Sequence, residues 1–100
     1  MAQFDLYRNS GGNSDIFPYL LDITHEINSV SQLRVVVPLC NDDHDVTHLN
    51  LNFYIEGEKL YMSTMDMAGI PAAMLGDVIG NLEEKRTDIV DALDFLVNGF

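Results

Sequence analysis

Apolar and polar residues alternate at period two in two early stretches, Phe4 with Leu6 and then Phe17, Tyr19, Leu21 and Ile23, the pattern of half-buried strands. Between them Arg8-Asn-Ser-Gly-Gly-Asn-Ser-Asp15 predicts a hairpin loop with positive backbone φ at one or two positions. Arg34-Val-Val-Val-Pro-Leu39 is β-branched enough for a buried third strand. Pro38 has no N–H to donate, which predicts that it sits at the strand's end or on an edge. Asn41 to His48 has almost no apolar anchor and reads as a solvated loop.

Leu51, Phe53 and Ile55 alternate again, and Glu56-Gly57-Glu58 turns the chain into Leu60 to Met65, which predicts a second hairpin. Pro71 and Gly76 bracket Ala72 to Leu75, a segment suited to a last strand or a turn. Only the end of the chain has helical periodicity: Leu82, Ile89, Leu93, Leu96 and Val97 fall near a repeat of 3.6, and Glu83, Asp88, Asp91 and Asp94 face elsewhere. Asn81 followed by Glu84 resembles a capping box, and Asn98-Gly99 supplies a left-handed stop. The helix is predicted over about residues 82–97. These elements imply a single, mainly β domain over residues 1–100, with a C-terminal helix packed on its strands.

Length and composition agree. A 100-residue chain hides roughly 60–70% of its unfolded surface, enough for one core. A hydrophobic content of 47% excludes a disordered tail. The opening segment reaches a Gly/Ser stretch before any apolar run of a secretory signal, so a cytoplasmic protein is expected. Charge narrows the function. Sixteen acidic residues against five basic ones leave a net charge of −11. Arg8, Arg34, Lys59, Lys85 and Arg86 are too few and too dispersed for a phosphate-binding stripe, which argues against direct nucleic-acid binding. The acidic field either aids solubility or steers a basic protein partner.

Candidate chemistry is sparse. His44 and His48, beside Asp42, Asp43 and Asp45, have a spacing that could hold a divalent metal on a helix, but no second cluster supplies an ordered shell, so no metal or cofactor is assigned. His25 beside Glu26 has no nucleophile motif to serve and reads as a surface histidine. Cys40 reads as a small core or strand-end residue. Met62, Met65, Met67 and Met74 are either core fillers or part of an adaptable binding surface. With no Gly-rich phosphate loop and no catalytic triad, the residues alone describe a β-rich binding domain.

Longer stretches carry a resemblance. Gln3-Phe4-x-x-Tyr7, Leu21-Asp22-Ile23, Arg34 to Leu39, Thr64-Met-Asp-Met-Ala-Gly-Ile-Pro71 and Asp88-Ile89-x-x-Ala92-Leu93-Asp94-Phe95, in this order and spacing, resemble the CcdB family of bacterial toxins over nearly the whole chain. The resemblance implies an SH3-like barrel of antiparallel strands with a C-terminal helix, assembled as a cytoplasmic homodimer. It implies a toxin, not an enzyme, that binds the A subunit of DNA gyrase and traps the gyrase–DNA cleavage complex. It also implies neutralisation by a CcdA-like antitoxin with a disordered C-terminal segment. The family's gyrase contact surface aligns with Ile27, Asn28, Asp94, Val97, Asn98, Gly99 and Phe100.

Departures fall on that surface. The family's best-known members end in Trp-Gly-Ile where this chain has Asn98-Gly99-Phe100, and carry Asn at Asp94 and Ile at Asn28. A buried Trp is a typical hot spot worth about 2 kcal/mol or more. Two alternatives stay open: a ribonuclease toxin on the same barrel, which would need a basic surface this chain lacks, and an attenuated homologue that retains antitoxin binding only.

Overall fold

The structure, a computed structural model, describes residues 2–25, 32–41 and 51–99. It is mainly β, a curled antiparallel sheet with one C-terminal helix, the arrangement of an SH3-like barrel carrying a helix. The strands are β1 (Asp5–Arg8), β2 (Tyr19–Asp22), β3 (Leu33–Cys40), β4 (Asn52–Ile55), β5 (Glu58–Met62), β6 (Ala68–Pro71) and β7 (Val78–Asn81), followed by α1 (Arg86–Asn98). They run in the order β4-β5-β3-β2-β1-β7, and β6 joins the flank of β3.

β3 is the pivot. On one side it pairs with β2 from Asp22↔Val36 to Tyr19↔Leu39. On the other it pairs first with β6, from Leu33↔Pro71 to Val36↔Ala68, and then with β5 at Leu39 and Cys40. Pro38 is therefore neither terminal nor on an edge. It lies at the junction where β3 exchanges β6 for β5, and a ladder already interrupted there tolerates the missing N–H. The Pro38 carbonyl still accepts from the Ser63 N–H at 2.9 Å.

The first hairpin forms as expected, with Leu6↔Leu21 and Tyr7↔Leu20 in register. Its loop differs: neither Gly11 nor Gly12 has positive φ. Successive turns are instead organised by Asn9, whose Oδ1 accepts from the Gly11 N–H while its Nδ2 donates to Asn13 Oδ1 and to the Phe17 carbonyl. The second hairpin closes through Glu56 (φ 52) and Gly57 (φ 80), the two consecutive left-handed residues of a type I′ turn. β5 stops at Met62 instead of continuing to Met65. The Ser63 hydroxyl donates to the Asp66 carboxylate, and Thr64–Asp66 winds into a 3₁₀ turn against which α1 lies.

The two faces of the sheet bury different things. Leu6, Leu21, Val37, Leu39, Phe53, Leu60 and Met62 form the main core with Phe4, and Ile89 and Ala92 of α1 close it. On the opposite face Tyr7, Val36 and Leu75 form a second cluster with Leu20 and Ile70. Leu75 belongs to the crossover from β6 to β7, so this connection passes over the second face. Ala72 to Met74 of the crossover form a 3₁₀ turn, the turn that sequence suggested. The strands on either side of it, β6 and β7, carry Gly69, Pro71 and Gly80 and have no buried alternation. Pairing with β3 and β1 makes them strands.

The helix begins later than its periodicity implies. Asn81 is the last residue of β7, and its side chain donates to the Gln3 carbonyl and to Asp5 while accepting from the Glu83 N–H. The Leu82 N–H donates to the Phe4 carbonyl at 2.9 Å. With the chain pinned to β1, Glu83–Lys85 forms a 3₁₀ turn before α1 starts. Phe4 itself holds φ at 69, costly for a bulky residue. Its N–H donates to the Asp22 carbonyl, its ring is fully buried, and the Arg86 guanidinium sits 5.0 Å from the ring centroid. These contacts fix the conformation.

Candidate interaction surfaces

The end of α1 brings Asp94, Val97, Asn98 and Gly99 together in solvent. Gly99 has φ 78 and its N–H donates to the Phe95 carbonyl at 2.9 Å, so the left-handed stop forms as expected. Val97, which periodicity assigned to the apolar stripe, is instead 79% exposed, and only Ile89 and Ala92 of the helix are buried. Among the described residues the core contacts of α1 end at Leu93, one turn before Val97. No basic residue lies in that turn, and Asp91 and Asp94 add charge near the negative end of the helix dipole. Ile27, Asn28 and Phe100, the other members of the predicted surface, lie outside the described residues. So do Asp42, Asp43, His44, Asp45 and His48.

A second surface had one sign in the sequence, the methionine group that includes Met74. Beside the crossover, the face that carries Leu20, Val36 and Pro38 forms the floor of a cleft of about 240 Å³. Ala68, Ile70 and Met74 wall it on one side, and Arg8, Asn9 and Asn13 of the first hairpin on the other, with Asp66 at the rim. The lining comes from five separate stretches, so no local motif could have marked the whole of it. Arg8 is exposed there and pairs with Glu56 at 2.5 Å.

Beneath the crossover the same sheet face buries charge. Asp22 and Arg34 form an ion pair, and Asp22 Oδ1 accepts from the Thr24 N–H at 2.9 Å. Tyr7 is buried nearby. Desolvation raises its phenol above the ordinary 10.0, the charges of Asp5 and Asp22 push the same way, and Arg34 opposes them. None of the side chains of Asp22, Arg34 and Tyr7 lines the cleft.

Cys40 is buried at the end of β3, as its sequence context suggested, and His25 is exposed. Among the described residues no group of His, Cys, Asp and Glu is arranged to hold a metal, and no helix is long and apolar enough to cross a membrane. What the fold offers is surface for binding: an exposed helix end and a cleft. Residues 3–99 match the family model described as CcdB protein. Because that match spans nearly the whole chain and the strands and helix fall where a barrel with a terminal helix requires them, the chain belongs to the CcdB family of toxins from toxin–antitoxin systems.

Proposed function

We propose that this chain is a gyrase poison: it binds the A subunit of DNA gyrase through the end of α1 and traps gyrase on cleaved DNA. The family match over residues 3–99 carries the reading. The group Asp94, Val97, Asn98 and Gly99 supports it, because all four are exposed at one helix end, where they can meet a second protein. The toxin acts by binding and not by catalysis, as a cytoplasmic homodimer, and a CcdA-like antitoxin neutralises it. Asn98, standing where the family carries Trp, reduces apolar contact, so affinity for gyrase is lower than the family's by the order of one hot spot, about 2 kcal/mol.

The test is expression with and without the antitoxin, followed by an assay of gyrase-dependent DNA cleavage. Growth arrest with accumulated cleavage complexes supports the reading. Growth arrest with degraded RNA and intact DNA would replace it with the ribonuclease alternative, and antitoxin binding without arrest would identify an attenuated homologue. Deleting Asn98, Gly99 and Phe100 should abolish toxicity while antitoxin binding and folding persist. A truncated chain that still arrests growth would put the contact elsewhere.

A further inference from the structure

The methionines grouped between positions 62 and 74 separate in the fold. Met62 is fully buried and Met67 packs against the main core, whereas Met65 and Met74 are 69% and 68% exposed. The two exposed residues differ in place. Met74 walls the cleft beside Ile70 and above Leu20 and Val36, while Met65 lies outside the lining. The turn that carries Met74 is anchored by its neighbour Leu75, which is buried against Tyr7 and Val36. A chemical change at Met74 would therefore alter the cleft wall without releasing the crossover. A thioether is readily oxidised where solvent reaches it, and the Cys40 thiol is buried, so Met65 and Met74 are the first sulfurs an oxidant meets among the described residues.

We propose that Met74 is a reversible sulfur-oxidation site that sets the polarity of the cleft. The co-reactant is a hydroperoxide, in the simplest case hydrogen peroxide. The Met74 Sδ lone pair attacks one peroxide oxygen, the S–O bond forms as the O–O bond breaks, and the departing oxygen takes the proton and leaves as water. Sulfur is oxidised by two electrons and the peroxide is reduced by two. The sulfoxide places a strong hydrogen-bond acceptor on a wall otherwise made by Ile70 and Ala68, which disfavours an apolar occupant. Reduction of the sulfoxide by a methionine sulfoxide reductase restores the thioether. Met65, equally exposed but outside the cleft, is an internal reference for reactivity.

The experiment treats the full chain, labelled at methyl groups, with dilute hydrogen peroxide and follows it by peptide mass mapping and methyl NMR. Met65 and Met74 should each gain one oxygen about ten-fold faster than Met62. The methyl resonances of Leu20, Val36 and Ile70 should shift in step with Met74 oxidation and return after sulfoxide reductase treatment. Met65→Leu should keep those shifts and Met74→Leu should abolish them. Met62 reacting as fast as Met74, Met74 remaining unoxidised while Met65 reacts, or cleft shifts persisting in Met74→Leu would each overturn the proposal.

Discussion

Arg34 donates from Nε to Oδ2 of Asp22 at 2.7 Å, and both side chains are almost wholly removed from solvent, at 1% and 0% exposure. The pair joins β3 to the end of β2 on the face the crossover covers. Among the described residues it is not fully satisfied, because Arg34 Nη2 has no hydrogen-bond partner there. Burying two charges costs several kcal/mol each, and their attraction roughly offsets that cost only while both are present.

Asp22→Ala should therefore strand the Arg34 guanidinium and lower stability by about 3–5 kcal/mol, whereas Asp22→Leu combined with Arg34→Met should recover most of that loss. Urea unfolding of Asp22→Ala, of the single variants Asp22→Leu and Arg34→Met, and of the double variant that combines these two checks this. A double variant as unstable as the sum of the singles would mean that the two charges are not coupled.

Tyr7→Phe should be neutral or stabilising by about 1 kcal/mol near pH 7, since the buried Oη has no hydrogen-bond partner among the described residues. It should also flatten the alkaline limb of the stability curve. Burial raises the folded-state pKa above 10.0, so the neutral phenol is favoured in the fold. The Tyr7 contribution is complete below 10.0 and declines as pH rises from there through the raised value. Urea midpoints measured through the alkaline range for wild type and Tyr7→Phe give the comparison, and identical alkaline slopes would count against it.

Gly99→Ala places a Cβ on a residue held at φ 78, which should cost about 1 kcal/mol and fray the last turn of α1. Gly99→Asn should cost less, because Asn tolerates the left-handed region. Thermal unfolding measures the stability, and hydrogen exchange at the Gly99 position's amide reports whether its bond to the Phe95 carbonyl opens. Equal destabilisation by Ala and Asn would remove backbone conformation as the cause.

With a net charge of −11 and Glu83, Glu84, Asp88 and Asp91 all exposed, association with a basic antitoxin segment should be steered by charge. Raising salt from about 50 to 500 mM shortens the screening length from roughly 14 to 4 Å, so the association rate should fall steeply. A rate that stays flat over this range would assign the acidic surface to solubility alone.

Alternation located β1, β2, β4 and β5 and helical spacing located α1, because each buries one face in the main core, whereas β3, buried on both faces, was legible from its β-branched residues. The turn at Glu56-Gly57 and the Gly99 stop were also legible, since left-handed backbone favours glycine, but the type of the turn, with Glu56 itself left-handed, was not. β6 and β7 were not, because neither has an apolar face of its own and only hydrogen bonding to β3 and β1 makes them strands. The same holds for the Asp22–Arg34 pair, the Pro38 junction and the cleft, each of which joins residues distant along the chain. Local pattern reports what a segment buries. Which segments meet is decided by the closing of the sheet around β3, and that closure also left Val97 in solvent and placed Met74 on the cleft wall.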